Sequence, residues 1–455
     1  MNNLPRFAWW TLLSLLLVLG CAGATRVWYV ATCTDNGKQS PALLVQGQSS
    51  PDLAVNLVEY QWFGGETPLS ENEERTAHIA PGYPMLYASI AYWSDNADVL
   101  LRWLQCALGT LTAGCYFFFA RRAFHSTLTA TIAGLFCAGH PFWILNTAEL
   151  NDGVLISFLL GASLALGARG SQTGGAFTGL CFGLTLSGIA MTRAALLPFS
   201  IIALLWFLWQ CRRLSLGWFV AFLALIGFIN GLATWSIRNY QVFERPVPVT
   251  TSTYLHLWMG NNPDATGSEL EKPALDATLS KDRLKELLDE SNQAKRYNHL
   301  ADEVWQEVRE HPKETLARRI NATLVFFLGE CWLKQGTFAT SAPKADGVTE
   351  PPEWLREHFE AILHATMLTM LALALLGWRL SHVWRRQGRM ATIAALCVPL
   401  PYVLSHAEYL SGPRLPLDGV LLCYAAFALA SVIPGLVRPT EAPAKSKKKQ
   451  VPSQP

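Results

Sequence analysis

Four arginines lie within or directly beside apolar runs of the sequence, where a charged side chain is energetically unfavourable. Arg193 lies between two such runs, Arg238 ends one, Arg414 precedes another, and Arg102 lies just inside a fourth. A charged group this close to hydrocarbon is costly unless it is paired or hydrated. A guanidinium group matches a phosphate with two parallel hydrogen bonds. The four arginines therefore indicate a site for a phosphorylated lipid headgroup, although arginines at helix ends also reach the interface without any function.

Carboxylates in the first polar loop offer the base that such a site would need. Asp52 precedes Leu53, Leu57 and Tyr60, which share one face of a short predicted helix. Asp52 either caps that helix or acts as a general base held just above the membrane. Glu59 is the alternative base.

An acidic turn and a loop histidine complete the set of candidate side chains. Glu149 and Asp152 lie in a turn between two apolar runs. They complement the arginines, bind a divalent metal, or cap the helix that follows. His78 precedes the segment Ala80–Pro84, whose prolines and glycine fix a tight backbone path. His78 is either a ligand or acid, or an ordinary loop histidine. No cofactor is predicted, and a requirement for a divalent metal is left open.

The composition places these side chains in a membrane protein. The chain has 455 residues, of which 51% are hydrophobic and 15% are charged. Soluble domains carry about 25% charged residues. We found no Walker loop, no dinucleotide fingerprint, no zinc-ligand spacing and no basic-aromatic surface for nucleic acid. Nucleotide-driven enzymes and nucleic-acid-binding proteins are therefore not expected.

Apolar runs of suitable length predict about ten transmembrane helices. The runs are Phe7–Val27, Val99–Ala120, Leu128–Leu145, Gly153–Ala168, Gly174–Met191, Ala195–Trp209, Leu216–Trp235, Ala361–Trp378, Met390–Leu404 and Leu415–Ile433. With ten spans, the basic clusters of the short loops and the tail all fall on one side, which the positive-inside rule assigns to the cytoplasm. This predicts a multi-pass protein of the inner membrane with both termini in the cytoplasm.

Two long polar loops then face the opposite, extracytoplasmic side. The first runs from Ala31 to Asp98, and the second from Arg238 to about Glu360. Apolar residues at helical spacing predict two or three short helices in Lys281–Arg319. The predicted fold is an all-α polytopic membrane protein with short helices in both loops. Its predicted parts are residues 1–237, an extracytoplasmic domain at 238–360, C-terminal transmembrane helices at 361–437 and a disordered basic tail at 438–455.

Several of these stretches together resemble the GT-C class of membrane glycosyltransferases. The likeness is to the protein-mannosyltransferase and lipid A aminoarabinose transferase group. The matching stretches are Asp52–Leu57 with Gly64-Gly65, His78–Pro84, Glu149–Asp152, Trp235–Tyr240, Pro246–Val249, Leu257–Pro263 with Gly267, His311-Pro312 and Arg414–Leu417. Their order and spacing fit across nearly the whole chain, and the stretch from Trp235 to Gly267 is the most specific.

The resemblance implies a sugar donor carried on a polyprenyl phosphate, with chemistry on the periplasmic side. In such enzymes an aspartate of the first loop activates the acceptor, and Asp52 is its match. In the family this aspartate often stands further ahead of the Asn-Leu pair and has another acidic residue beside it, whereas here Leu53 follows Asp52 and the residues before Asp52 are neutral. The base therefore stays open between Asp52 and Glu59.

The mechanism expected from these residues is an inverting sugar transfer. Arg238 and Arg414, together with Arg193, would stabilise the departing phosphate, and Asp52 would take the acceptor's proton. A pocket for the sugar would be lined by aromatic and amide side chains. The side chains predicted there are Tyr240, Trp258 and Asn261, and His78 and Tyr83 are further predicted substrate- or phosphate-binding residues.

The expected partners are a polyprenyl-phosphate-linked sugar, membrane lipids and an acceptor that is a protein, lipid A, a polysaccharide or another lipid. Two other functions compete with this one. The chain could be a non-enzymatic carrier or assembly factor for lipid-linked saccharides, or a ligase that moves whole glycans from a diphosphate lipid. A carrier should place its charges within the spans and at both faces, whereas the unusual arginines here cluster at one face.

Overall fold

The computed structural model describes residues 6–38, 50–67, 70–268, 279, 281–328, 353–381, 388–407 and 413–432. The predicted tail at 438–455 and parts of both long loops lie outside these ranges. The helices are α1 (Arg6–Cys33), α2 (Ser50–Glu59), α3 (Gly82–Ala91), α4 (Ala97–Phe124), α5 (Thr127–Gly139), α6 (Pro141–Leu145), α7 (Gly153–Thr173), α8 (Ala176–Thr192), α9 (Leu197–Cys211), α10 (Gly217–Phe243), α11 (Thr253–Met259), α12 (Lys281–Asp289), α13 (Gln293–Asn298), α14 (Leu300–Glu310), α15 (Pro312–Leu328), α16 (Glu353–Ser381), α17 (Arg389–Cys397), α18 (Leu400–Leu404) and α19 (Leu415–Ser431). Strands β1 (Gly64–Thr67) and β2 (Ser70–Arg75) form an antiparallel pair in the first loop.

The predicted all-α polytopic architecture is confirmed. Five of the described helices are long and apolar enough to cross a membrane: those within Trp9–Cys33, Ala97–Phe124, Gly153–Thr173, Ala194–Cys211 and Gly217–Phe243. Shorter apolar helices occupy the positions of the other five predicted spans. The count of ten spans therefore stays a prediction.

Prolines divide two of the predicted spans. The run Leu128–Leu145 is split because Pro141 lacks an amide hydrogen and His140 before it is extended, with φ −67° and ψ 116°. Proline also marks the break between α17 and α18, where Pro399 is the N-cap of α18. The predicted helical segment Lys281–Arg319 likewise contains more helices than expected. Four helices, α12 to α15, lie in or overlap it, because Asn292 caps α13 and Pro312 starts α15.

Close contacts between small residues hold the membrane helices together. A Cβ atom added to Gly183 of α8 would lie 2.0 Å from the carbonyl oxygen of Ala224 in α10, and one added to Gly227 would lie 2.6 Å from the carbonyl oxygen of Leu180. In lipid, helices associate through such packing, because hydrocarbon provides no hydrophobic drive between them. The α8–α10 pair is therefore sensitive to side-chain volume.

A buried arginine side chain links α1 to this bundle through hydrogen bonds. Arg26 has no exposed surface. Its Nη1 donates to the carbonyl oxygens of Ala22 and Ala138 at 3.0 and 3.3 Å, and its Nη2 donates to that of Cys137 at 3.1 Å. The first helix is thus a packed member of the bundle.

An ion pair and hydrogen bonds join the parts of the two long loops that the structure describes. Arg296 of α13 pairs with both carboxylate oxygens of Glu74 in β2, at 2.9 and 3.1 Å. The Oε1 atom of Gln293 accepts hydrogen bonds from the Ala77 amide at 3.0 Å and from the Thr251 hydroxyl at 2.8 Å. The described parts of the first and second loops therefore form one extramembrane layer at one end of the helices, here called the loop end.

We expect Gly183→Ala to destabilise the protein and Gly20→Ala to leave it unchanged or slightly stabilised. The first change puts a methyl group against the backbone of α10, and overpacking of this kind costs about 1–3 kcal/mol. The second is a matched control, since nothing lies within 4 Å of an added Cβ at Gly20. Thermal unfolding of the purified protein measures both. Equal unfolding temperatures for the two variants would contradict the close α8–α10 contact.

Candidate active site

The acidic turn after α6 is held in place by two side chains of α4. Arg102 donates from Nε to the carbonyl oxygen of Ala148 at 2.7 Å. Gln105 donates from Nε2 to the carbonyl oxygens of Thr147 and Glu149, both at 2.9 Å. Both side chains are buried. The guanidinium of Arg102, predicted from sequence as one of the phosphate-binding set, thus serves to fix the backbone of this turn.

The side chain of Glu149 points into the protein interior. Its side chain is buried, within electrostatic range of the Arg102 guanidinium and of the Tyr29 hydroxyl. Burial of a carboxylate is tolerated when a cation lies nearby. Glu149 therefore faces the bundle beneath the turn.

Asp152 faces the other way and forms an ion pair with Arg193 at the loop end. Arg193 donates from Nε to Oδ2 of Asp152 at 2.5 Å and from Nη2 to Oδ1 at 2.7 Å. Arg193 also contacts the hydroxyl of Tyr402. The exposed fractions of the Arg193 and Asp152 side chains are 12% and 23%, so the pair is largely buried with a small part of each side chain at the surface. Asp152 occupies the N-cap position of α7 but makes no capping hydrogen bond, which argues against the capping alternative.

The first loop reaches this ion pair through Tyr83. The Tyr83 hydroxyl donates to Oε1 of Gln105 at 3.0 Å and lies within electrostatic range of Asp152. Gly82 lets the loop come close to the end of α8, since a Cβ there would lie 2.8 Å from the carbonyl oxygen of Met191. Tyr83, Asp152 and Arg193 are thus brought together from three separate parts of the chain.

Asp52 and Glu59 lie on the exposed side of α2. They are seven residues apart, which is two helical turns, so they share one face of the helix. The opposite face is buried, and Ala54 on that face packs in the same cluster as Tyr83. The structure therefore anchors α2 beside Tyr83 and leaves the two candidate bases on its outer surface.

Arg238 ties the first loop to the end of α10. Its Nη1 donates to the carbonyl oxygen of Thr76 at 3.0 Å, and its Nη2 donates to that of Phe63 at 2.8 Å. The guanidinium carbon lies 4.8 Å from the centre of the Trp235 ring. Arg238 therefore links the first loop to the end of α10.

Arg414 belongs to a buried charge cluster that the sequence analysis missed. Its Nε donates to Oδ1 of Asp418 at 2.8 Å, and its Nη1 donates to the carbonyl oxygen of Phe327 at 2.7 Å. Nε2 of His140 lies 3.4 Å from Oδ2 of Asp418, whose side chain is fully buried. A carboxylate inside an apolar run, four residues after an arginine, was the signal in the sequence.

Three buried histidines meet in the extramembrane layer. Nδ1 of His256 in α11 lies 3.0 Å from Nε2 of His406, which follows α18. The His78 ring stacks on the His256 ring with 6.0 Å between their centres. Among the residues that the structure describes, no group of three or more His, Cys, Asp and Glu is arranged as a metal site. His256 and His406 were not predicted, because no local pattern links residues 150 positions apart.

The side chains predicted to line a sugar pocket are divided between the interior and the surface. Trp258 is buried and donates from Nε1 to Oε2 of Glu303 at 2.8 Å. Asn261 is buried and donates from Nδ2 to the carbonyl oxygen of Leu404 at 3.1 Å. Tyr240, in contrast, is 60% exposed on α10. These three side chains therefore do not line one common surface.

Comparisons with known proteins bear on the fold. No protein-family model and no curated protein sequence matches the chain. The archaeal oligosaccharyltransferase AglB from Archaeoglobus fulgidus, bound to an inhibitory peptide and a dolichol-phosphate, is similar with a TM-score of 0.51 and 12% identity, covering 93% of this chain and 50% of that one. The Archaeoglobus fulgidus oligosaccharyltransferase tethered to an acceptor peptide is similar with the same score and coverage at 14% identity.

The fold is therefore similar to that of these oligosaccharyltransferases. The chain spans about half the length of the oligosaccharyltransferases that it matches. ArnT from Cupriavidus metallidurans bound to undecaprenyl phosphate matches at a TM-score of 0.35, which is too low to bear on the fold.

The histidine cluster predicts a loss of stability in acid. Burial lowers the pKa of His78 to about 3, that of His256 to about 4 and that of His406 to about 3, and His256 lowers the other two further. In the unfolded chain these histidines take up protons near pH 6.5. The three groups therefore leave the stability unchanged above that pH and reduce it as the pH falls from about 6.5 to about 3.

Thermal unfolding between pH 8 and pH 4.5 measures this dependence. We expect the double variant His256→Gln with His406→Gln to be less stable at pH 8 but to show a shallower decline below pH 6.5. The double variant His125→Gln with His311→Gln removes two histidines outside the cluster and is the control. If the first double variant loses stability below pH 6.5 as steeply as the wild type, the assignment of this acid sensitivity to the histidine cluster is contradicted.

Proposed function

We propose that the protein is an inverting glycosyltransferase that moves a sugar from a polyprenyl-phosphate donor to an acceptor at the extracytoplasmic surface. The observation that carries the proposal is the partly exposed Asp152–Arg193 pair beside Tyr83. It lies at the loop end of the helix bundle, where we expect a lipid-linked phosphate to arrive. The archaeal oligosaccharyltransferase of similar fold binds a dolichol-phosphate, which is a phosphorylated lipid of the same chemical class.

Arg193 is the residue we assign to the phosphate. It is partly exposed, and its guanidinium is held flat against one carboxylate by two hydrogen bonds. A fixed cation stabilises negative charge without having to reorganise during the reaction. Arg238 and Arg414 bind backbone carbonyls and a buried carboxylate, which supports positioning roles for both.

The proposed reaction needs one base and no acid. The acceptor's hydroxyl or amine attacks the sugar carbon that bears the phosphate, the bond from that carbon to the phosphate oxygen breaks, and the polyprenyl phosphate leaves with the electron pair. Asp52 takes the proton from the acceptor, and Glu59 on the same face of α2 is the alternative base. Attack opposite the leaving phosphate inverts the configuration of the sugar carbon.

A second candidate function is the transfer of a whole glycan from a diphosphate lipid. The likeness to oligosaccharyltransferases favours it. The two functions differ in the lipid that a cell accumulates when the protein is missing. Loss of the first leaves a monosaccharide on a single phosphate, and loss of the second leaves a longer glycan on a diphosphate.

We expect Asp52→Ala to lower sugar transfer by about 100-fold or more, because general bases contribute that much to catalysis. Asp302→Ala is the control, since Asp302 is an exposed aspartate on α14. Mass spectrometry of lipids from cells carrying each variant, compared with cells lacking the protein, measures the accumulated donor. If the donor lipid accumulates in cells with Glu59→Ala but not in cells with Asp52→Ala, Glu59 is the base. An unchanged lipid profile with both variants would contradict the assignment to α2.

We expect Arg193→Gln to lower transfer by about 100-fold as well, because it removes charge stabilisation from the leaving phosphate. Arg309→Gln removes an exposed arginine of α14 and is the matched control. The same lipid measurement applies. Wild-type turnover in Arg193→Gln would exclude Arg193 as the phosphate-binding residue.

A further inference from the structure

The side of α10 that does not pack against the bundle carries a heptad pattern. Its residues recur at alternating intervals of four and three positions, and they are Phe219, Leu223, Ile226, Asn230, Ala233, Ile237 and Tyr240. None of these seven residues is buried. The residues of α10 that contact α8, such as Val220, Ala224 and Gly227, lie on a different side of the helix. The seven residues are here called the α10 seam, because apolar side chains at this spacing line the contact between two packed helices.

A single amide side chain interrupts the α10 seam at the middle of the helix. α10 runs from Gly217 to Phe243, so Asn230 is its central residue. The exposed rings of Trp218 and Tyr240 lie towards its two ends, as aromatic side chains do at the two boundaries of a membrane. The helix is long and apolar enough to cross a membrane, which would place Asn230 close to the middle of the hydrocarbon layer.

Hydrocarbon offers the Asn230 amide no hydrogen-bond partner. Asn230 is exposed, and within the part of the chain that the structure describes its amide group has no partner either. Thr234, which is also exposed on α10, differs because its hydroxyl donates to the backbone carbonyl oxygen of Asn230 at 3.2 Å. A polar group in lipid is unfavourable unless it is hydrogen-bonded, and Asn side chains obtain such bonds across contacts between membrane helices. The position of Asn230 therefore indicates that a second helix packs on the α10 seam.

We propose that the α10 seam binds the α10 seam of a second copy of this chain, with the two Asn230 side chains hydrogen-bonded to each other. An amide group both donates and accepts hydrogen bonds, so two copies of it are complementary. Two copies that insert in the same orientation are related by a two-fold axis perpendicular to the membrane, and their α10 helices then run parallel. In a parallel pair each seam residue meets its own counterpart, and a single Asn in the seam fixes the register and the number of helices.

The composition of the α10 seam favours a second copy over a different membrane protein. A different helix would need a polar side chain of its own at the same depth, whereas a second copy supplies one by symmetry. The seam contains no charged residue, so two copies brought together do not repel each other. The small side chain of Ala233, three positions after Asn230, lets the two helices approach closely there.

Association of the full-length protein in liposomes tests the proposal. Single-molecule photobleaching of fluorescently labelled protein measures the dimer fraction over a range of protein-to-lipid ratios. We expect the wild type to form dimers and Asn230→Leu to weaken dimerisation by about tenfold, because it removes the hydrogen bond between the helices and keeps a side chain of similar size. Thr234→Val is the matched control and should leave dimerisation unchanged, since the Thr234 hydroxyl bonds within its own helix.

Cysteine cross-linking tests which side of α10 forms the contact. Ala233→Cys puts a thiol in the α10 seam, and Leu225→Cys puts one on an exposed flank of the same helix outside the seam. We expect mild oxidation to link two copies of Ala233→Cys and not two copies of Leu225→Cys. The wild type, with its native cysteines, gives the background.

Three results would overturn the proposal. The first is a wild type that stays monomeric at every protein-to-lipid ratio. The second is a dimer that Asn230→Leu weakens no more than Thr234→Val does, or that cross-links through Leu225→Cys and not through Ala233→Cys, since either would mean a different interface. The third is a complex with another membrane protein, isolated from native membranes, that depends on Asn230, since the seam would then bind a different chain. If Asn230→Leu does not fold, the cross-linking pattern decides, because it leaves Asn230 intact.

Discussion

A charge beside hydrocarbon must have a partner, and this constraint organises the loop end of the molecule. There the chain supplies the partners itself: carbonyl oxygens for Arg102 and Arg238, and carboxylates for Arg193 and Arg414. These arginines therefore hold separate segments of the chain in fixed positions relative to one another.

The internal pairing explains how the candidate site is assembled from separate segments. The α4 side chains Arg102 and Gln105 fix the acidic turn, and Gln105 also binds the hydroxyl of Tyr83 from the first loop. That shared contact sets Tyr83 beside Asp152 before any substrate arrives. Positions held by several hydrogen bonds change little when a ligand binds, which is the condition for stabilising a leaving group electrostatically.

Much of the fold could be predicted from the sequence, because apolar length and loop charge act over short stretches. The helix positions and the all-α class followed from such stretches, and the errors came where a proline broke an apolar run, as at Pro141. The antiparallel strands of the first loop were missed, since β2 is almost entirely polar and lacks an alternating apolar pattern.

The candidate site was harder to predict, because it depends on contacts between distant segments. Asp152 and Arg193 were both singled out, but nothing local showed that they pair across 41 positions. Arg238 was taken for a phosphate ligand on its position at a helix end, whereas its partners are carbonyls of a loop more than 150 positions away. The histidine cluster and the Asp418–His140 contact arise in the same way. Residue type shows which groups need a partner, and the tertiary fold decides which partner they obtain.

The central claim is that Arg193 marks the place where a lipid-linked phosphate binds. A cryo-electron microscopy structure of the protein with a polyprenyl phosphate tests it most directly. The account predicts a phosphate oxygen about 3 Å from the Arg193 guanidinium, beside Asp152 and Tyr83, with the prenyl chain running down between the helices. A phosphate bound away from Arg193, with the Asp152–Arg193 pair undisturbed and no density near it, would contradict the account.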